Sequence, residues 1–140
     1  MQADRASTDD GPLDTLLYVS ELTNFDAGEI DSICHQSRAN NARDDITGLL
    51  VFDGQAFCQF VEGPRDAIAA LLERLERDPR HVEIRVLQHG PVASGRRFPA
   101  WRLGYAYSAD PAAIAQIDLK RGSDALLEFD RVHPDWPACD

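Results

Sequence analysis

Several kinds of sequence feature are scarce in this chain, and each scarcity excludes a class of protein. No apolar run approaches the ~20 residues that cross a bilayer, and no basic, then apolar, then small-residue signal stands at the N-terminus. The sequence is therefore expected to be cytoplasmic. Positive charge is short: 14 Lys and Arg stand against 24 Asp and Glu, for a formal net charge of −10. Binding to nucleic acid or to an anionic membrane surface needs basic patches that displace counterions, so neither partner is expected. The three cysteines, Cys34, Cys58 and Cys139, have no CxxC spacing and form no disulfide framework. They read as two small core residues and an exposed thiol in the tail. His35, His81, His89 and His133 lack compact ligand spacing, so no metal site is expected. Glycine-rich phosphate loops are missing as well, and Gly63-Pro64 is not one.

What remains is an ordinary globular composition, 44% apolar and 27% charged over 140 residues, which suits one domain with a short extension. Residues 1–12 are polar and acidic and read as a disordered leader. Leu13 to Ser20 make a strand with Leu16, Tyr18 and Ser20 on one face. Thr23 or Asn24 caps a helix whose first turn holds Asp26 and Glu29. Its stripe is Ala27, Ile30, Ile33 and Cys34, and it should end near Asn40-Asn41. Strands over Ile46–Phe52 and Gln55–Glu62 flank Asp53-Gly54, a strong hairpin signal, and the unbroken Leu49–Phe52 run suggests a central strand. Beyond Gly63-Pro64, where Pro64 can open a helix, Ala67, Ile68, Leu71, Leu72 and Leu75 repeat at helical spacing until Asp78-Pro79. Glu62 and Asp66 flank that helix start and suit its positive dipole better than a glycosidase carboxylate pair. Strands over His81–Gln88 and Ala100–Tyr107 follow, separated by a polar loop at Ser94-Gly95-Arg96-Arg97.

The order β-α-β-β-α-β-β matches an α+β, ferredoxin-like βαββαβ sheet with an added fifth strand and both helices on one face. The domain is expected over 13–107. Residues 108–140 form a short helical extension that caps the sheet or carries the output. One helix runs from Asp110-Pro111 to about Leu119, a weaker apolar set is Leu126, Leu127 and Phe129, and the end from Pro134, with Trp136, is irregular. This fold is common and by itself names no function.

Strand alternation brings certain polar residues toward the helices. Gln59 shares a face with Phe57 and Val61, Tyr18 with Leu16 and Ser20, and Trp101 with Leu103 and Tyr105, while Asn41 stands at the helix end. Taken singly these residues are unremarkable: a strand tyrosine, an edge glutamine, a helix C-terminal asparagine, a core tryptophan and, in Arg74, a helix-surface cation. Together they surround a groove with a phenol, two amides and an indole against apolar walls. A buried amide left unpaired costs roughly 1–3 kcal/mol, and the donor–acceptor edge of a flavin would satisfy Gln59.

The run Asn40-Asn41-Ala42-Arg43-Asp44-Asp45-Ile46-Thr47-Gly48-Leu49-Leu50 resembles the helix-to-strand motif of BLUF domains, sensors of blue light using FAD. Leu17-Tyr18-Val19-Ser20, Phe57-Cys58-Gln59-Phe60-Val61-Glu62-Gly63-Pro64, Asp78-Pro79-Arg80-His81 and Arg97-Phe98-Pro99-Ala100-Trp101 are further matches in family order. The resemblance implies a non-covalently bound FAD, with FMN or riboflavin as alternatives, and no enzyme activity in the domain. It also implies residue roles. Tyr18 gives an electron and a proton toward the excited flavin. Gln59, between Tyr18 and the flavin, rotates or tautomerises. Asn41 holds the carbonyl and imide edge, with Asn40 beside it, and Arg74 lies near the ribityl-phosphate part. Trp101 neighbours the glutamine, and Ser20 and Ile30 are further pocket residues. Short members of the family imply a downstream protein in trans and a homodimer through the opposite sheet face, to which Cys58, Phe60 and Trp136 would contribute.

One position departs from the family pattern: Leu103 stands where a methionine is usual, similar in volume but without the thioether. It motivates a second reading, a flavin-binding protein that no longer signals with light. A third, a small acyl-phosphate hydrolase of the same fold, rests on topology alone.

Overall fold

A computed structural model of the chain describes residues 12–22, 27–77, 81–92, 95–132 and 138–139. The leader up to residue 11, the Thr23/Asn24 cap with Asp26, the Asp78-Pro79 stop and Trp136 lie outside the described residues, as does the Ile30 side chain.

The elements are β1 (Leu13–Leu22), α1 (Ala27–Asp44), β2 (Thr47–Phe52), β3 (Ala56–Pro64), α2 (Arg65–Arg77), β4 (His81–Val92), β5 (Gly104–Tyr107), α3 (Pro111–Asp118), α4 (Ser123–Val132) and β6 (Ala138–Cys139). The sheet order is β4-β1-β3-β2-β5-β6. Its first four strands pair antiparallel in the ferredoxin-like arrangement, and β5 joins parallel to β2. The sixth strand corrects the expectation of an irregular tail: Ala138 and Cys139 pair with Ala106 and Tyr105.

Local chemistry explains where the other boundaries moved. The first helix does not stop at Asn40-Asn41 but runs to Asp44. Asp45 then takes a left-handed conformation, φ 60°, and the Ile46 N–H returns to the Asn41 carbonyl at 2.9 Å. That is a Schellman-type closure with aspartate in the place glycine usually fills. In the hairpin, Asp53 Oδ1 accepts from the Gln55 and Ala56 N–H groups, and Gly54 supplies φ 102°. Pro64 closes β3 rather than opening α2. At β2 the run Leu49–Phe52 is wholly buried between β3 and β5, as a central strand requires. Gly48 sits where any Cβ would lie 2.1 Å from the Phe60 carbonyl oxygen, so the two strands meet there only because the residue is glycine. Asp110 caps α3 by accepting from the Ala112 N–H.

The sheet has two differently covered faces. On the front, α2 packs Ile68 and Leu75 on Leu16, Tyr18 and Val61. α1 packs Cys34 over Leu50, Phe52, Phe57 and Leu103. On the back, α3 and α4 bring Ile114, Ile117, Ala125 and Phe129 onto Leu17, Val19, Leu49, Val51, Cys58 and Phe60. Cys58 and Phe60 are therefore fully buried under the chain's own C-terminal helices, not exposed for a second copy. Arg85 on β4 pairs with Asp118 on α3 at 3.0 Å, and Arg97 pairs with Asp130 on α4 at the same distance. No helix among the described residues is long and apolar enough to cross a membrane.

Candidate functional site

The front core is divided. One apolar cluster lies under α2 and another under α1. Between them opens a cavity of about 110 Å³ lined by Tyr18, Ile33, Gln36, Ser37, Asn40, Asn41, Gln59, Leu71, Arg74 and Leu75. Tyr18 and Gln59 are direct cross-strand partners of β1 and β3. Opposed residues of an antiparallel pair point to the same face a few ångströms apart. The Tyr18 hydroxyl donates to Gln59 Oε1 in a short hydrogen bond. With Oε1 engaged, the two Nε2 hydrogens of Gln59 remain as donors at a cavity wall. Gln59 is 7% exposed and Tyr18 1%, so the pair is buried, not the solvated edge that glutamine alone suggests.

Asn41, also buried, stands on α1 just before the Schellman closure. Its Nδ2 donates to the Arg102 carbonyl at 2.6 Å. One turn earlier Arg38 Nε donates to the Leu103 carbonyl at 3.0 Å, and the Trp101 carbonyl accepts from the Gly48 N–H. Three successive carbonyls ahead of β5 are thus bonded to α1 and β2. Arg74 does pair with a carboxylate, Asp44 at 3.5 Å, while lining the cavity. The Asp44 carboxyl is held below its ordinary range, chiefly by its hydrogen bond to Arg43. It therefore stays ionised opposite Arg74.

Other sequence-nominated residues lie elsewhere. Ser20 is buried on the front face but is not a cavity wall. Leu103 is buried among Cys34, Leu50, Phe52 and Phe57. Trp101 does not share the face of Leu103 and Tyr105. β5 begins only at Gly104, and Trp101, in the turn before it, stacks on Phe98 at 5.8 Å against the back cluster. Its ring lies on the Cα of Gly104, where a Cβ would fall 2.4 Å from Cε3. Strand alternation assumed through 100–107 fails because the segment turns at Trp101. Glu62 also differs from expectation. It does not serve the α2 dipole but points to the back, where its two carboxylate oxygens accept from the Arg97 and Phe98 N–H groups at 2.9 and 2.7 Å. Burial pushes its carboxyl above the usual range, against the pull of those two bonds.

Ile33, Gln36, Ser37, Leu71 and Leu75 complete the cavity but were not singled out as site residues. The signal was present: Ile33, Gln36/Ser37 and Asn40/Asn41 recur at helical spacing, so the apolar stripe of α1 turns polar over its last two turns.

Two amides, a phenol and an arginine between apolar walls suit a flat heteroaromatic ring with an imide edge. The model that describes sensors of blue-light using FAD matches residues 13–104. The chain belongs to the BLUF family. It is similar to the dark-state structure of BlrB, a BLUF protein, at a TM-score of 0.74 and 33% identity, over 88% of this chain and 96% of that one. Klebsiella pneumoniae BlrP1 with FMN and cyclic diGMP superposes at a TM-score of 0.59 with 29% identity, over 65% of this chain and 24% of that one. The beta subunit of the photoactivated adenylate cyclase of Euglena longa is 33% identical over 100 residues, 70% of this chain but 12% of that protein. The BLUF segment is thus a small part of the cyclase. BLUF domains are flavin-binding blue-light photoreceptors, and the relatives are light-regulated signalling proteins.

Proposed function

We propose that this chain binds FAD in the α1–α2 cleft and converts blue light into a reversible change of the Tyr18–Gln59 hydrogen-bond network, relayed to a separate protein. The observation that carries the reading is the Tyr18 hydroxyl bonded to Gln59 at the wall of that cleft. The flavin supplies absorption of blue light and an excited state that is a strong oxidant. With a flavin bound, Tyr18 would be the residue to give up an electron and, through Gln59, a proton, and later to take both back, so no net chemistry is required. Gln59 rotates or tautomerises as the proton passes and is left with exchanged partners. Asn41 would hold the carbonyl and imide edge, with Asn40 beside it, and Arg74 would meet the ribityl-phosphate end. The cavity of about 110 Å³ is smaller than the ~300–1,000 Å³ of ligand sites. A ring seated there would part α1 from α2.

The ring contacts do not read an adenine. The Klebsiella relative holds FMN, so FMN and riboflavin are the competitors of FAD. In this reading 13–107 is the sensor and 108–140 the cap, the chain has no catalysis of its own, and it works in the cytoplasm. A homodimer through the back face would require α3 and α4 to leave it, so a second copy more readily uses another surface.

The test is a visible spectrum of dark-purified protein, then blue light, then dark recovery, with Gln59→Leu beside it and the released flavin identified by mass. A bound flavin whose spectrum shifts slightly to the red and relaxes, with the shift lost in Gln59→Leu, is the expected outcome. A protein that stays colourless with added FAD overturns the reading. Bound flavin with an unchanging spectrum establishes instead a flavin-binding protein that no longer signals. The burial of Leu103 and the back-face position of Trp101, away from Gln59, are the features that favour that alternative.

A further inference from the structure

Glu62 is a fully buried carboxylate on a central strand, three residues from Gln59. A buried carboxylate is costly unless it is paired or fully bonded. Its two oxygens take the N–H groups of consecutive residues, Arg97 and Phe98, at 2.9 and 2.7 Å. The residue before them is tied as well. Arg96, its side chain only 7% exposed, donates to Thr47 Oγ1 at 3.0 Å, to the Glu62 carbonyl at 3.2 Å and to the Asp45 carbonyl at 2.9 Å. Residues 96–98 therefore form a strap fastened to β3, to β2 and to the turn that ends α1.

The other side of the strap is fastened to α4. Arg97 meets Asp130 with two hydrogen bonds, Nε to Oδ1 and Nη2 to Oδ2, both 3.0 Å. Its guanidinium lies 5.3 Å from the Phe60 ring centroid. Phe98 packs edge-on against Phe60 and Phe129 at 5.9 and 6.3 Å. The second charged tie of the C-terminal helices, Arg85 to Asp118, runs from β4, a strand that does not carry Gln59.

We propose that the Arg96-Arg97-Phe98 strap is the link by which a change at Gln59 reaches α4, with Glu62 as the positioning residue on the sheet and Arg97–Asp130 as the joint on the helix. A hydrogen-bonded central strand moves as a unit, so a displacement of β3 at Gln59 carries Glu62 with it. Glu62 holds the strap by two charge-assisted bonds, and the strap moves Asp130. The partner of this device is α4 and whatever protein reads it. The inference rests on the blue-light reading above and adds to it a route that bypasses Trp101 and Leu103.

The test is hydrogen exchange of the 123–132 amides, in darkness and under steady blue light, on protein reconstituted with FAD. Wild type, Asp130→Asn and Asp130→Glu are compared, with the visible spectrum recorded in parallel. Asp130 is partly exposed on the helix that covers the sheet face opposite the cleft, so all three should photoconvert alike. In wild type, light should change α4 exchange by about fivefold, the scale of a partly exposed ion pair. Asp130→Asn should keep the red shift yet reduce that light–dark difference to less than about twofold, and Asp130→Glu should restore it. A red shift with α4 exchange identical in light and darkness overturns the strap, as does a full light–dark difference in Asp130→Asn. Absence of any red shift in wild type strikes the blue-light reading itself.

Discussion

The two faces of the sheet are built to different specifications. The back face is a continuous apolar layer in which Phe60, Phe98 and Phe129 contact one another at 5.6–6.3 Å. Among the described residues its buried polar side chains, Thr15, Thr47 and Glu62, find their partners within the protein. On the front, two apolar clusters are held apart by a cleft whose floor is a hydrogen-bonded phenol and amide. Close packing supplies stability and resists small displacements. A cleft floored with polar groups gives up part of that packing and gains a place where hydrogen bonds can be exchanged. The difference assigns stability to one side and sensing to the other, and substitutions can separate them.

The largest effect should come from the back. Phe129 is fully buried. Phe129→Ala should cost about 3–5 kcal/mol, read as a fall in the thermal or denaturant midpoint. If the faces are separable, the variant still binds FAD in the cold and still shows its red shift. Loss of flavin binding by a protein that remains folded would show that the back face also shapes the cleft.

Tyr18→Phe is the matching change on the front. It removes one hydroxyl and leaves the Gln59 carbonyl oxygen without its donor, at a cost of about 1–3 kcal/mol. The loss in stability should be smaller than for Phe129→Ala, yet the light response should vanish while flavin remains bound. A red shift of normal size in this variant would remove Tyr18 from the electron-donor role.

The contrast between the faces was legible in the sequence only in part. Strand alternation located Tyr18 and Gln59 on one face, because both sit inside regular antiparallel strands that pair with each other; the turn at Asp53-Gly54 secures only the β2–β3 register. Alternation failed at Trp101, and the helix-dipole reading failed at Glu62, for the same physical reason. The segment 95–103 is not a strand but a strap shaped by long-range bonds, from Glu62 to the Arg97 and Phe98 backbone and from Asn41 and Arg38 to carbonyls ahead of β5. No local pattern encodes a carboxylate that bonds backbone thirty-five residues away. Likewise α1 outran its expected end because Asp45 accepts a left-handed conformation. Nothing within Asn40-Asn41 signals that the helix continues. The cover on the back face was open between partner and extension, and Ile114, Ile117, Ala125 and Phe129 decide it for the extension.

The smallest stability effect should attend the substitution that tests the family departure. Leu103 is fully buried with Cys34, Leu50, Phe52 and Phe57, on the front side but outside the cavity wall. Leu103→Met conserves volume and should change stability by less than about 1.5 kcal/mol. A side chain that only fills space would leave dark recovery unchanged. One that transmits from the cleft to β5 would alter it, because the flexible thioether can repack where the branched leucine cannot. The strap predicts the first outcome: recovery within about twofold of wild type and an undiminished light response in α4 exchange. Recovery changed tenfold, with α4 exchange altered to match, would move the route from β3 and Glu62 to the β5 side chain, and the two sheet faces would then communicate through Leu103.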